Sequence, residues 1–351
     1  MVDNKKKMIG VNKMKKSILK FLLFSCVLFF SLTLYGEEIN YSRIKKHQTK
    51  LLPTSVTVNT KGEIFVVDGF TGTVVKYSDK WRYKFTLDIK GLKSIVDLFY
   101  FDKYIYALSG EGKIFRFDSN GDVDFYKEYE RGHLLGQLTN PRGIYVDHEF
   151  IYISDSGNSR IQIFNRDGSL NKSFGYKTFG LSGFMANTGL SKIGDNLMVA
   201  DAGSKEVKIY DQNGFYVNNL KDDTSSEFIF TSPEDLFVDT DNNIYVVDSG
   251  TNQVSIYLSN GKLIKLGRKG SSKQEFYGIK DIWVDENYIY IADTLNEKIK
   301  IFDRKTYTFV KAIGASNFMK ITSLLAIILI LVLLVVILKR INKKNGERKI
   351  E

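Results

Sequence analysis

Five aspartates recur after similar apolar runs, and together they could supply oxygen ligands to a cation. From Asp155 onward, successive members of the set lie 46, 47 and 45 residues apart. If the chain brings them to one face, such a ring of carboxylates could bind calcium. The alternative is structural, because Asp before Ser-Gly or Ala-Gly accepts backbone hydrogen bonds in a tight turn whose glycine takes positive φ. The five are Asp68, Asp155, Asp201, Asp248 and Asp293.

A second set of charged residues occupies equivalent places ahead of these aspartates. Arg142 and Glu234 each follow a proline, and Lys280 takes the comparable place after Gly278. Their charges differ from repeat to repeat, as expected of a surface that recognises a ligand, and loops on a rigid scaffold commonly carry function. The alternative is ordinary solvated charge. We predict ligand contact at Arg142, Glu234 and Lys280, and we assign no catalytic residue.

The elements that must position these residues belong to a sequence repeat. The run 151–157 reappears at 244–250 and, less completely, at 289–293, and shorter copies lie at 64–68 and 197–201. A degenerate copy has Leu108 or Ser109 where the aspartate belongs, which gives six repeats. A period of this length is typical of a propeller blade.

Each repeat predicts four short strands separated by turns. The third repeat has the clearest alternation, in which Ile161 and Ile163 are expected to face inward and Arg160 and Gln162 outward. One four-stranded sheet cannot bury its apolar face alone. Stacking the sheets around a ring buries that face against the neighbouring sheets and leaves only short edges.

The third repeat reads Pro-Arg-Gly-Ile at 141–144, Asp-Ser-Gly-Asn at 155–158 and Arg-Ile-Gln-Ile-Phe at 160–164. This pattern resembles the NHL repeat of six-bladed β-propellers, and the resemblance covers residues 52–314. It implies an all-β fold with the aspartates on one face of the disc and the residues beside the prolines at the channel mouth. The sixth repeat has its own outer strand at 309–313, while residues 39–44 could add a strand where the ring closes. Trp283 is expected to face a neighbouring blade.

The formal net charge of +10 would favour a nucleic-acid partner, but its distribution argues against one. Residues 1–36 carry a net charge of +6 and residues 318–351 carry +5, so the remainder has a net charge of −1. The basic excess therefore lies beside two hydrophobic segments, and we expect a membrane partner and no nucleic acid.

The C-terminal hydrophobic segment predicts a transmembrane helix at 318–338. Residues 321–338 contain no charge or proline, and about 18 residues at roughly 1.5 Å each nearly match the bilayer core. The basic tail 339–351 predicts a cytoplasmic C-terminus by the positive-inside rule, which leaves the propeller outside the cytoplasmic membrane, in the periplasm or the extracellular space.

The N-terminal segment, residues 1–36, has the layout of a secretory signal, with lysines before an apolar run at 21–35. It is either a cleaved signal peptide or a retained membrane anchor, and residues 37–51 form an N-terminal extension. Cys26 is the only cysteine of the chain. The predicted exported domain thus contains no disulfide and must be stabilised by packing alone.

An enzyme is the second possibility, since the resemblance includes lyases and lactonases. Lyase relatives imply metal-binding histidines on several blades, whereas this chain has only His47, His133 and His148, at non-equivalent places. Calcium-dependent lactonases use carboxylates, which leaves Glu234 and the aspartates as candidates. We expect no enzyme and no cofactor, with calcium the ion to consider. The predicted function is an extracytoplasmic module that binds a protein or envelope ligand through a propeller face. A calcium-assisted hydrolase or lyase and a structural assembly factor remain the alternatives.

Overall fold

The protein is described by a computed structural model that covers residues 51–87, 89–175, 183–221 and 229–314. These residues form six four-stranded sheets, each made of four consecutive antiparallel strands. The predicted all-β six-bladed propeller is therefore confirmed. The predicted signal or anchor (1–36), extension strand (39–44), transmembrane helix (318–338) and tail (339–351) lie outside the described residues.

The strands follow one another along the chain without crossover. The first three sheets contain β1 (Pro53–Val58), β2 (Ile64–Asp68), β3 (Thr73–Tyr77), β4 (Tyr83–Thr86), β5 (Ile95–Phe101), β6 (Tyr104–Ser109), β7 (Lys113–Phe117), β8 (Val123–Glu128), β9 (Gly143–Val146), β10 (Phe150–Asp155), β11 (Arg160–Asn165) and β12 (Leu170–Phe174). The last three contain β13 (Asn187–Ile193), β14 (Asn196–Asp201), β15 (Glu206–Tyr210), β16 (Tyr216–Asn219), β17 (Pro233–Val238), β18 (Ile244–Asp248), β19 (Gln253–Tyr257), β20 (Leu263–Leu266), β21 (Ile279–Val284), β22 (Tyr288–Asp293), β23 (Lys298–Asp303) and β24 (Phe309–Gly314).

The second strand of each sheet is the most deeply buried. All five residues of β2 and of β18 are buried, because each sheet packs between two neighbours and both of its faces are covered. Such strands read as continuous apolar runs rather than as alternation. This explains why the repeated run 151–154 is apolar or small throughout.

The expectation that Arg160 and Gln162 face outward is wrong. Their exposed fractions are 2% and 0%. Both side chains bind the loop that leads from β8 into β9: the Arg160 guanidinium donates to the carbonyls of Leu134 and Gln137, and Gln162 Nε2 donates to the Gln137 carbonyl. The loop covers the face that alternation alone assigns to solvent.

The strand directions define two faces of the propeller. The first strand of each sheet begins, and the fourth strand ends, on the face that also carries the hairpins between second and third strands. We call this the loop face, because the connections between consecutive sheets lie on it. The opposite face carries the hairpins between first and second strands and between third and fourth strands.

The ring closes by packing of the first sheet against the last. The predicted outer strand of the sixth repeat is present as β24, whose four-stranded sheet runs β21-β22-β23-β24. Tyr77 Oη in the first sheet donates to the Gly314 carbonyl at 2.9 Å. Both ends of the described propeller lie on the loop face, since Pro53 pairs with Asp68 at the end of β2 and Gly314 pairs with Lys298 at the start of β23.

Within the described residues, the helical structure consists of two single-turn 3-10 helices, Ser156–Asn158 and Thr294–Asn296. Neither has the length or the apolar character needed to cross a bilayer.

Candidate functional site

A cavity of about 400 Å³ opens at the loop-face end of the central channel. Residues from five sheets and from the loop just before β9 line it, and they include the three charged residues predicted from the sequence, Arg142, Glu234 and Lys280. The structure thus brings this predicted set together at one mouth.

A recurrent β-bulge turns these side chains toward the channel. The ladder between first and second strands is interrupted at the same place in five sheets, between Pro53 and Ser55 in the first and between Pro233 and Asp235 in the fifth. A bulge re-aims the side chain of the extra residue. The residues at this position are Thr54, Val96, Thr188, Glu234 and Lys280, with Arg142 in the matching place just before β9.

The three charged residues differ in how much of their bonding capacity is used. Glu234 Oε1 accepts hydrogen bonds from Lys280 Nζ at 2.7 Å and from Ser249 Oγ at 2.9 Å. The Lys280 side chain is 42% exposed, so two of its three donors remain available to solvent or a ligand. The Arg142 guanidinium is exposed and makes no hydrogen bond or ion pair with the described residues.

Three aspartates missed by the sequence analysis line the same cavity. Asp97, Asp235 and Asp281 each follow the bulge residue by one position. The equivalent residue is Ser55 in the first sheet and a glycine, Gly143 or Gly189, in the third and fourth sheets. The signal was present in the sequence, because positions 97, 143, 189, 235 and 281 are separated by a constant 46 residues.

These side chains connect each first strand to the next one around the ring. Asp97 Oδ2 accepts the Ile144 N–H at 2.8 Å, and Asp235 Oδ2 accepts the Ile282 N–H at 3.1 Å. Ser55 Oγ does the same for the Leu98 N–H at 3.0 Å. The bonds satisfy backbone donors beside the channel that the sheet ladders do not reach.

Two positions of the series that contains Asp97, Asp235 and Asp281 hold glycine, and at Gly189 the structure requires it. A Cβ on Gly189 would lie 2.1 Å from Asp235 Oδ1 and 2.6 Å from the Asp235 Cα. The absence of a side chain at Gly189 therefore makes room for the Asp235 carboxyl group in the neighbouring sheet.

The crowding of these acids favours their protonated forms. Burial and the charge of Asp281 raise the pKa of Asp97 and of Asp235 well above the usual range for aspartate. Burial also raises the pKa of Asp281 to about 6, although hydrogen bonds from Asp235, Ser55 and backbone N–H groups partly offset the shift. A hydrogen bond between the carboxyl groups of Asp235 and Asp281 raises the pKa of Asp235. The cavity thus contains carboxyl groups that can hold protons near neutral pH.

An aromatic layer lies beneath the carboxyl groups, at the position two residues further along the first strands. The Phe99 ring lies 5.4 Å from the Trp283 ring, although their sheets are not neighbours, so this contact crosses the channel. Tyr145 packs on Phe99 at 4.8 Å, and Phe237 packs on Trp283 at 5.0 Å. We call Phe99, Tyr145, Phe237 and Trp283 the aromatic layer. Trp283 faces a neighbouring blade, as expected, because it packs on Phe237 of the fifth sheet, and it also contacts Phe99 of the second sheet across the channel.

The five hairpin aspartates are buried and already bonded. In each case a carboxylate oxygen accepts an N–H from the loop that precedes the first strand of the same sheet, with distances between 2.7 and 3.1 Å. The exposed fractions of these residues run from 0% to 4%. The five are Asp68, Asp155, Asp201, Asp248 and Asp293. Their observed contacts are those of the structural alternative, in which the carboxylate fixes the hairpin to the incoming loop.

In three sheets a buried cation completes this contact. Asp155 Oδ2 lies 2.7 Å from Arg160 Nε, Asp201 Oδ2 lies 3.0 Å from Lys208 Nζ, and Asp293 Oδ2 lies 3.0 Å from Lys300 Nζ. Because these three carboxylates are paired with cations and enclosed, they are not open ligands. No group of three His, Cys, Asp or Glu side chains elsewhere in the described ranges is arranged to bind a metal ion.

The described histidines lie away from the cavity. His133 contributes its carbonyl to the Arg160 guanidinium, and the His148 ring packs on Phe101 at 4.9 Å. His47 lies outside the described residues. The candidate site therefore contains basic side chains and carboxyl groups, and these are the groups available for its chemistry.

Comparisons with known families agree with this architecture. A family model described as 6-bladed beta-propeller matches residues 192–320, and the NHL repeat model matches residues 138–164. The recognition of an NHL-type six-bladed propeller is confirmed. A search of curated proteins finds no match.

Several solved structures are similar in fold at low sequence identity. Virginiamycin B lyase from Staphylococcus aureus, in a catalytically inactive form with quinupristin, is 13% identical with a TM-score of 0.53, covering 78% of this chain and 87% of that one. A chain of a nidogen/laminin complex is 19% identical with a TM-score of 0.56, covering 72% and 92%. A protein of unknown function from Bacteroides thetaiotaomicron is 16% identical with a TM-score of 0.58, covering 72% and 69%. At these identities the likeness concerns the fold alone.

Proposed function

We propose that this NHL-type propeller is a membrane-anchored binding module that takes its ligand at the channel mouth of the loop face. The observation that carries the proposal is the cavity of about 400 Å³, where bulges in the first strands present Arg142, Glu234 and Lys280 above a layer of carboxyl groups. Concave sites with a few convergent polar groups are the usual places of ligand binding.

The charges of the mouth suggest how it recognises a ligand. The Arg142 guanidinium has no hydrogen-bond or ion-pair partner among the described residues, which suits it to a carboxylate or phosphate group of a ligand. The carboxyl groups of Asp97, Asp235 and Asp281 lie deeper and suit a hydrogen-bonding or cationic group. A peptide or protein segment that carries both kinds of group would match the two levels. One similar structure is a nidogen/laminin complex, which is consistent with this use of a propeller face.

The proposed location is the outer side of the cytoplasmic membrane, with the C-terminus in the cytoplasm. The basis is the sequence of residues 321–338 and of the basic tail that follows them. In this setting the module binds a protein or an envelope component. A structural assembly factor would use the same surface with a permanent partner.

The test is in-cell crosslinking of the full chain, followed by mass spectrometry. One variant combines Arg142→Ala, Glu234→Ala and Lys280→Ala. A matched control combines Lys61→Ala, Lys80→Ala and Glu286→Ala, which are exposed on the opposite face. We expect a reproducible partner that the first variant loses and the control keeps. A partner retained by both variants would contradict binding at the channel mouth.

A second candidate function is acid–base catalysis of the lyase or hydrolase type in the same cavity. The observation in its favour is that the raised pKa of Asp281, about 6, lies near neutral pH, where a carboxyl group can exchange protons with a substrate. The similar structures include a virginiamycin B lyase and a streptogramin B lyase. Turnover of a lactone by the full chain, lost in Asp281→Asn, would favour this function over binding alone.

A further inference from the structure

Large apolar side chains are exposed on the loop face around the channel mouth. Their exposed fractions lie between 43% and 67%, which is high for side chains of this size. They come from five different hairpins or connecting loops rather than from one segment. They are Phe70, Leu134, Leu135, Met185, Tyr277 and Leu295.

The opposite face lacks such a set among the described residues. Among the described residues, Phe215 is the one large apolar side chain exposed within a hairpin of that face, the hairpin between β15 and β16. The other exposed members of the class, such as Tyr126 and Val310, lie on fourth strands at the circumference. The apolar surface is therefore concentrated on one face, and such concentrations mark interaction sites.

Both ends of the described propeller leave from this same face. Gly314 ends β24 beside Lys298 at the loop face, and the apolar run begins at Ile321. The intervening residues 315–320 span at most about 21 Å even when fully extended. An anchor that enters the bilayer so soon after β24 holds the loop face close to the lipid and leaves the opposite face away from it.

Basic residues accompany the apolar ones on the loops. Lys269 Nζ lies over the Tyr277 ring at 5.3 Å, and Lys273 is exposed in the same connection. Arg131 is exposed next to the loop that carries Leu134 and Leu135. Aromatic and aliphatic side chains flanked by Lys or Arg are typical of surfaces that lie at a bilayer interface with anionic lipid.

We infer that the loop face docks on the lipid bilayer, with these apolar side chains at the headgroup level. The inference rests on the proposed membrane anchorage and adds the orientation of the disc. The channel mouth then opens toward the bilayer, and its ligand is one that is present at the membrane surface.

The experiment uses the full chain reconstituted in vesicles of phosphatidylcholine and phosphatidylglycerol, with or without bromine on the acyl chains near the headgroups. The background carries Trp81→Phe and keeps Trp283, whose buried ring reports that the propeller is folded. The test variant is Leu295→Trp, and the matched control is Phe215→Trp on the opposite face. We expect brominated lipid to quench the added tryptophan several-fold more strongly at 295 than at 215.

The other possible results would overturn different parts of the proposal. Chain that does not float with the vesicles would overturn the anchorage and the docking together. Chain that floats but shows equal quenching at the two positions would overturn the docking alone. Weak quenching at both positions, with a crosslinked dimer in the same vesicles, would assign the loop face to a second copy. Adding Leu134→Asp and Leu135→Asp to Leu295→Trp is expected to reduce the quenching, and unchanged quenching would count against lipid contact.

Discussion

Asp281 in the last sheet accepts a hydrogen bond from the Val56 N–H in the first sheet at 3.0 Å, although 225 residues separate them. Two further bonds cross the same junction: Thr294 Oγ1 donates to the Pro53 carbonyl at 2.6 Å, and Tyr77 Oη donates to the Gly314 carbonyl at 2.9 Å. The described sheets exchange no strand at this junction, so side-chain hydrogen bonds and packing hold the ring closed.

Replacing Tyr77 by Phe tests the contribution of this junction. The hydroxyl is the donor to Gly314, and its removal leaves that carbonyl without this donor. We expect Tyr77→Phe to lower the free energy of unfolding by about 1 kcal/mol. The matched control, Tyr126→Phe, removes an exposed hydroxyl that binds Glu128 and should change stability by less than about 0.5 kcal/mol. If chemical denaturation gave the same loss of stability for Tyr77→Phe and Tyr126→Phe, the hydrogen bond at the ring junction would contribute no more than an exposed one.

The raised pKa of Asp281 leads us to expect that stability falls as pH rises from acid to neutral. Since the folded-state pKa of Asp281 is raised to about 6, from an ordinary value of 3.8, the folded state binds more protons than the unfolded state between these values. The contribution of this group is therefore fully present below about pH 4 and is lost as pH rises through 6. The loss amounts to at most about 3 kcal/mol.

In Asp281→Asn we expect this decline between pH 4 and pH 7 to be much smaller than in the unsubstituted chain. Asp147→Asn is the control of opposite sign. Burial raises the pKa of Asp147, but hydrogen bonds from the Phe150 N–H and from Lys192 outweigh it and hold that pKa below its usual range. Its contribution is lost as pH falls. If the free energy of unfolding of the two variants changed with pH in the same way, the opposite pKa shifts of Asp281 and Asp147 would be refuted.

Replacing Arg160 is expected to lower stability strongly, because it leaves a buried carboxylate without its cation. The Arg160–Asp155 pair is almost fully enclosed, with Nε and Oδ2 at 2.7 Å. We expect Arg160→Met to destabilise by about 3–5 kcal/mol, mostly through the unpaired Asp155 charge. Arg116→Met breaks an exposed pair with Asp124 and should cost less than about 1 kcal/mol. Thermal melts of the two variants within a degree of each other would contradict this account.

Trp283 is predicted to be the most sensitive member of the aromatic layer, because it contacts both Phe99 and Phe237. Trp283→Ala should destabilise by roughly 3–5 kcal/mol, since the surrounding rings belong to different sheets and can close the space only partly. Trp81→Ala, at a partly exposed position, should cost clearly less. An unchanged melting temperature for Trp283→Ala would mean that the layer is not tightly packed.

The spacing of the repeats predicted the fold because a blade of fixed length leaves a fixed period in the sequence. The same period placed Arg142, Glu234 and Lys280 at equivalent positions, and the structure brings them to one cavity; whether they bind a ligand stays a prediction. In the degenerate second repeat, Ser109 rather than Leu108 takes the place of the repeated aspartate. It pairs with Ile95, as the aspartate of other sheets pairs with the first residue of the first strand.

Two features could not be predicted from local pattern. The outward assignment of Arg160 failed because a loop from the preceding connection covers the strand, and alternation contains no information about that loop. Asp97, Asp235 and Asp281 were readable from the period but resemble ordinary polar residues beside a turn. Their proximity arises only when the ring closes and first strands from separate sheets converge.

The aromatic layer lies beneath the carboxyl groups, and an occupant of the cavity leaves through its mouth on the loop face. Any body that covers this face therefore either excludes that occupant or retains it, without a change in the conformation of the propeller. Occupancy of the cavity and coverage of the loop face are thus coupled by steric access alone, and the residence time of a small ligand becomes a direct measure of whether the face is covered.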